Sequence, residues 1–207
     1  SWLNVLPPAL DLIINLYSPY PNQKISNADL ENIHATQITK IAQNISYIAE
    51  RTKCPKLFQL IPPNYYGNVV TGTISERNPE NLNSFALGYQ GLIRHFNAAA
   101  NIATTYLILA NFIYNSEGQT YPAIPKLFNK IYPIINHGDN WISVIHLDDL
   151  CSSILHLLNN NISEKIINLV DDKPIMQKDW IKMLSRANLL PHPLPIPTAI
   201  SNLLYGQ

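Results

Sequence analysis

Charge of one sign, a cysteine framework, a long apolar run and a glycine-rich turn are all missing from this sequence, and each absence closes off a class of function. Lys plus Arg equals Asp plus Glu at 14 each in 207 residues, so there is no basic surplus to track a phosphate backbone, and nucleic acid is not an expected partner. Cys54 and Cys151 are the only cysteines. They are far apart and lack CxxC spacing, which reads as a reducing compartment and two ordinary buried thiols. No apolar run approaches the ~20 residues of a membrane span, and no charged segment precedes an apolar one near residue 1. The expected location is therefore the cytoplasm, with no membrane partner. A metal site needs several His, Cys or carboxylate ligands together, and the sequence offers no such second cluster, so no metal is expected. Glycine is scarce at seven residues, none of them spaced GxGxxG, the turn that sets a pyrophosphate on a helix N-terminus.

What is present suits one folded core: 46% of residues are hydrophobic and 14% charged. Asp11–Leu16 is a short apolar run that ends in a polar, proline-containing loop, the pattern of a strand buried on both faces. Ala28–Glu50 follows with helical period, carrying Ile33, Ile38, Ile41, Ile45 and Ile48 on one broad face. Lys56–Ile61 is a second buried strand, closed by Pro62 and Pro63, with a turn at Asn64–Gly67. Strand, helix and strand make a right-handed βαβ crossover with both strands parallel, and loops at their carboxyl ends line any ligand crevice. The same alternation continues with a helix over Leu87–Ala100, a strand over Thr104–Phe112, a short helix over Ile124–Ile131 and a strand over Lys165–Val170. A turn at Asp171–Pro174, a helix over Gln177–Ala187, an extended proline-rich segment and a last helix over Thr198–Tyr205 complete it.

Trp141–Leu150 joins a strand to a helix through a dense polar cluster. Trp141, Ser143 and Ile145 alternate with Ile142 and Val144, while Asp148 and Asp149 fall in the first turn of the helix, where carboxylates cap free N–H groups. Leu150, Ile154, Leu157 and Leu158 then form one apolar stripe. His146 stands at the junction.

These motifs, in this order, resemble the extended short-chain dehydrogenase/reductase superfamily, in particular the NAD-dependent epimerase/dehydratase-like proteins. Asp11–Leu16 is similar to that family's "D-x-V-I-N-L-A-G", and Pro55–Phe58 with Tyr65, Tyr66 and Gly67 to "P-K-V-F-x-S-A-S-x-x-G-Y-Y-G". Trp141–Leu150 is similar to "W-x-S-W-I-H-x-D-D-L", and Asn168–Tyr205 to the family's C-terminal helices. The resemblance implies an α/β parallel-sheet Rossmann-like fold missing its first β-α-β units, with a small C-terminal substrate-side region. Residues 1–140 form the partial Rossmann-like domain in that reading, and 141–207 the strand-helix units and substrate-side region of the same domain. It implies NAD or NADP as cofactor, touched by Asn15, Tyr17 and Tyr65. Tyr89 and Tyr66 are the implied catalytic residues, and His146, Asp148 and Trp141 shape the pocket of a small-molecule substrate, with a nucleotide sugar as the family's kind of substrate.

The sequence departs from that pattern at the chemistry. Where the family's Tyr-x-x-x-Lys pair lowers a tyrosine pKa, Ile93 stands four residues after Tyr89. A phenol at its ordinary pKa is ionised only about one part in a thousand at pH 7, a feeble base. Gln59–Pro62 replaces the family's serine-bearing segment. Two functions are therefore expected in competition: the substrate-side part of an NAD(P)-dependent epimerase or reductase whose cofactor half lies upstream, or a non-catalytic module that keeps the fold for binding. A parallel sheet without its first strands leaves an open apolar edge, so either self-association or a missing N-terminal segment is expected to cover it.

Overall fold

The structure, a computed structural model, describes residues 6–16, 27–61, 66, 72–77, 104–109, 112–121, 131–160, 162 and 166–200. Two compact units interleave along the chain: 1–109 with 162–168, and 110–161 with 169–207.

The first unit is built on a parallel sheet. β1 (Ile13–Asn15), β2 (Lys56–Ile61), β3 (Thr104–Leu109) and a strand at Ile166–Asn168 lie in that order, every neighbouring pair parallel. β1 and β2 are joined by α1 (Asn27–Thr52), which is the βαβ crossover expected from the pattern. Leu57, Phe58, Gln59, Leu60 and Ile61 are all buried, as a central parallel strand covered on both faces requires. The buried face of α1 carries Ala42, Ile45, Ser46, Ala49 and Thr52. It is turned slightly from the isoleucine stripe, so that Ile41 packs only partly against the core that Ala42 and Ile45 form with Leu57 and Ile61. Ile33 and Ile38 lie outside the described side chains.

The second unit occupies the connection from β3 to Ile166–Asn168 and the chain after it. β4 (Phe112–Tyr114) pairs antiparallel with β5 (Thr120–Tyr121) across a turn in which Asn115 Oδ1 accepts from the N–H groups of Glu117 and Gln119. β6 is Pro133–Ile135. The expected single strand at Trp141–Ile145 is two: β7 (Trp141–Ile142) and β8 (Val144–His146), with Ser143 between them. β8 pairs parallel with β4, and β7 pairs antiparallel with β10 (Ile175–Met176). With β9 at Ile166–Asn168, the last strand is β11 (Leu194–Ile196), parallel to β6. α2 (Leu147–Asn159) and α3 (Gln177–Ala187) complete the unit. Tyr132, Ile134, Ile142, Val144, Trp180, Ile181 and Leu184 form its core. The proline-rich segment is thus a strand in part, because parallel pairing to β6 uses carbonyls and the N–H groups of Leu194 and Ile196 while the prolines need donate nothing.

Cys54 is buried as expected, but Cys151 is exposed, because it sits one residue past Leu150 and off the stripe that α2 buries. The helices expected over Leu87–Ala100 and from Ile124, and the residues of the Asn64–Gly67 turn other than Tyr66, lie outside the described residues. Among the described residues no helix is long and apolar enough to cross a membrane.

Two helices end in the same way. Lys53 (φ 52°) and Leu189 (φ 51°) sit in left-handed conformation just past α1 and α3. Around Leu189 the N–H of Leu190 reaches Ser185 O at 2.9 Å and that of Leu189 reaches Arg186 O at 3.1 Å, the paired bonds of a Schellman turn. Glycine is the usual residue there, since a left-handed L-residue costs roughly 1–2 kcal/mol. Leu189 is 94% exposed, so Leu189→Gly gives up no packing. It is expected to stabilise the chain by about 1 kcal/mol after allowing for the looser unfolded state. Urea unfolding at matched m-value reads this, and a destabilised variant would show that the leucine makes a contact worth more than its strain.

Candidate functional site

In the first unit, the polar residues gather at the carboxyl ends of the parallel strands. Asn15 ends β1, and its Nδ2 donates to Gln59 Oε1 at 2.6 Å. Gln59 is fully buried and passes a bond of its own to Leu60 O at 2.8 Å, so the one polar side chain in the centre of β2 is satisfied. Tyr66 follows β2, and its hydroxyl donates to Asn168 Oδ1, at the end of β9, at 2.9 Å. β3 lies between β2 and β9, so this bond closes over two strand spacings, about 10 Å of sheet edge. The N–H of Asn168 in turn reaches Glu76 Oε1 at 2.9 Å. Tyr66 is only 3% exposed. Burial pushes its phenol above the ordinary 10.0, and the charge of Glu76 adds to the rise. As it stands Tyr66 donates its proton in a hydrogen bond.

In the second unit, the cluster forms around His146. Its ring caps α2: Nδ1 accepts from the N–H of Asp148 at 3.2 Å, with Asp148 Oδ2 at 3.6 Å. The histidine is therefore the cap, and Asp148 and Asp149 occupy the first turn without taking that part. An accepting Nδ1 puts the ring proton of neutral His146 on Nε2. Behind it stands Tyr114, whose ring meets that of His146 edge-on at 5.0 Å and that of Trp180 edge-on at 5.0 Å. The Tyr114 hydroxyl donates to Asp171 Oδ2 at 3.3 Å. Burial raises the Tyr114 phenol, and Asp171 and Asp149 raise it further. Trp141 is 64% exposed on β7, an aromatic face open to solvent.

Among the residues that the sequence nominates, Asn15 and Tyr66 thus lie at the strand ends of the first unit, and His146, Asp148 and Trp141 on β7, β8 and the start of α2. Tyr17, Tyr65 and Tyr89 lie outside the described residues. Residue-level reasoning missed Asn168, Glu76, Tyr114 and Asp171 as partners. Asn168 at the end of an apolar run was the one legible signal, the same position that Asn15 holds on β1; Glu76 and Asp171 sit in segments with no period.

The phenols of Tyr66 and Tyr114 give a pH prediction. Each is raised in the folded chain, so at pH values above 10.0 the unfolded chain has lost protons that the folded chain keeps, and stability falls as pH rises. Below that value the contribution is fully present. Replacing both residues, Tyr66→Phe with Tyr114→Phe, is expected to flatten the fall between neutral and strongly alkaline pH. An unchanged slope in denaturation measured across that range would rule out these two phenols as its source.

No protein-family model matches the sequence. The fold is that of solved epimerases, dehydratases and reductases that carry NAD or NADP. The chain superposes on human epimerase family protein SDR39U1, solved with NADPH, at a TM-score of 0.70 and 15% identity, covering 100% of this chain and 73% of that one. On the UDP-glucuronic acid 4-epimerase of Bacillus cereus, solved with NAD, the values are 0.66 and 14%, over 95% and 69%. On the dTDP-glucose 4,6-dehydratase DesIV of Streptomyces venezuelae they are 0.63 and 15%, over 91% of this chain but 61% of that one. In sequence the chain is 24% identical over 216 residues to an epimerase family protein of Staphylococcus aureus, spanning all of this chain and 70% of the relative. A second, from Staphylococcus saprophyticus, is 23% identical over the same share. The resemblance of the motifs to the epimerase-like members of the extended superfamily is thus borne out by both comparisons.

Proposed function

We propose that this chain is the substrate-side portion of an NAD(P)-dependent epimerase- or reductase-type protein acting on a small molecule, with a nucleotide sugar as the substrate class. The observation that supports it most is the set of amide and phenol groups at or just past the carboxyl ends of three of the parallel strands, Asn15 on β1, Tyr66 after β2 and Asn168 on β9, where ligands of such sheets bind. In this reading Asn15, Tyr17 and Tyr65 touch the cofactor. Tyr66, kept protonated, and Tyr89 serve as proton donors, and His146 through Nε2–H, Asp148 and the open face of Trp141 hold substrate.

The residues fit a dinucleotide only in part. Strand-end amides suit its nicotinamide side, but its pyrophosphate needs backbone N–H groups exposed by a glycine turn. Gly118 and Gly138 are not of that kind: a Cβ on either would meet Asn188 Nδ2 or Ile134 Cγ2 at 2.7 Å, so side chains already fill the space. When bound, a nicotinamide supplies hydride transfer; what this chain supplies is position and protons.

The test is a titration of NADH and NADPH against this chain and, in parallel, a longer product of the same gene, followed by Trp and Tyr fluorescence. Binding by the longer product alone is the expected outcome, and it also decides between the two cofactors. Absence of binding by both would sink the reading and leave a binding module.

A further inference from the structure

Residues of α3 and of the segment that follows its Schellman turn enclose a cleft of about 220 Å³, lined by Lys182, Ser185, Arg186, Leu190, His192 and Pro193. None of these has a part in the roles proposed above. Lys182 and Arg186 are four apart on the helix and therefore neighbours on one face. Arg186 has no ion-pair partner among the described residues. Lys182 shares its ammonium with Asp179 Oδ1 at 3.2 Å, which leaves it two further N–H donors. His192 Nδ1 lies 3.0 Å from Pro193 O. A carbonyl only accepts, so Nδ1 carries the proton and Nε2 is the nitrogen left for a ligand, a second N–H when the ring is charged. Ser185 is 2% exposed, and its Oγ has no hydrogen-bond partner among the described residues.

The sign of the field follows from the charges. Lys182 and Arg186 contribute two positive charges, Asp179 one negative, and the carbonyl end of α3 roughly half a negative charge, leaving about half a positive charge before His192 is counted. An anion is the ligand that this balance favours. The volume is below the ~300–1,000 Å³ of sites that hold drug-sized molecules, which suits one phosphate-sized group and little more. Arg and Lys supply the fork and the point charge that phosphate recognition uses.

We propose that this cleft binds a small phosphorylated ligand through Lys182, Arg186 and His192. The inference does not depend on a dinucleotide reading of the first unit, and its test is separate. Sodium phosphate is titrated into the full chain by calorimetry, with sodium chloride holding ionic strength constant. Saturable binding is expected, weakened at least about tenfold in Lys182→Gln/Arg186→Gln, which removes two charge-assisted bonds, and abolished in Arg186→Glu. Both positions are solvent-facing, and an unchanged thermal midpoint without ligand verifies that the variants fold. No saturable heat, equal affinity in the double variant, or the same response to sodium sulfate at matched ionic strength, an adventitious ion only, would each overturn the proposal.

Discussion

Trp180→Ala is expected to lower the stability of the second unit by about 3–5 kcal/mol, the range for emptying a large aromatic from a core. Trp180 is 3% exposed and sits in the cluster with Tyr132, Ile134, Ile142, Val144, Ile181 and Leu184. Its indole N–H has no hydrogen-bond partner among the described residues, so the whole loss comes from apolar area, the cavity left behind and the edge-on contact with Tyr114 at 5.0 Å. That contact also backs the Tyr114 ring against His146, so the cap of α2 should loosen in the same variant. Trp180→Phe keeps an aromatic in place and should lose clearly less. Denaturant unfolding followed at both far- and near-ultraviolet wavelengths measures it, and a loss under about 1 kcal/mol would mean that the site collapses around the gap, contrary to a well-packed core.

The second large effect is expected at Gly138, in the turn between β6 and β7. Its φ is +65°, and an added Cβ would lie 2.7 Å from Ile134 Cγ2, 2.9 Å from Lys178 Cβ and 3.0 Å from the Lys178 backbone nitrogen. That nitrogen cannot give way cheaply, because it donates to Gly138 O at 3.0 Å. Ile134 is 6% exposed and has nowhere to turn. Left-handed backbone costs roughly 1–2 kcal/mol and overpacking about 1–3, so Gly138→Ala should destabilise by about 2–5 kcal/mol. Gly72→Ala is the control: φ is +92° but nothing among the described residues lies within 4 Å of its Cβ, so only the backbone part should be measured. Equal losses at the two positions would remove the packing argument. The ion pair of Lys178 with Asp139, at 2.6 Å, joins the same turn to the first turn of α3. It holds the carboxyl of Asp139 below its ordinary range and the ammonium of Lys178 above its own, an exposed contact that adds little to either variant's outcome.

How much of this was legible beforehand differs between local elements and long-range pairings, for one reason. β1, α1, β2 and the helix at Gln177–Ala187 carry patterns of period 2, 3.6 or unbroken apolar runs within a single stretch of chain, and local patterns can be read from one sequence. So the parallel sheet, its βαβ crossover and a polar residue at Asn15 near the end of β1 follow from the residues themselves. What no stretch contains is its partner. That Gln59 would find Asn15, that Tyr66 would close over β3 to Asn168, and that Trp141–His146 would divide at Ser143 to pair with β10 on one side and β4 on the other are pairings between residues up to 102 positions apart. The buried face of α1 is similar: isoleucine spacing locates a broad apolar side, but only the tertiary packing it meets selects Ala42, Ile45 and Ala49 as the buried line. The amino acids by themselves determined which elements form and that the balance of charge is even; the tertiary structure decided which polar groups meet, because hydrogen bonds across a fold depend on three-dimensional register that sequence spacing does not encode.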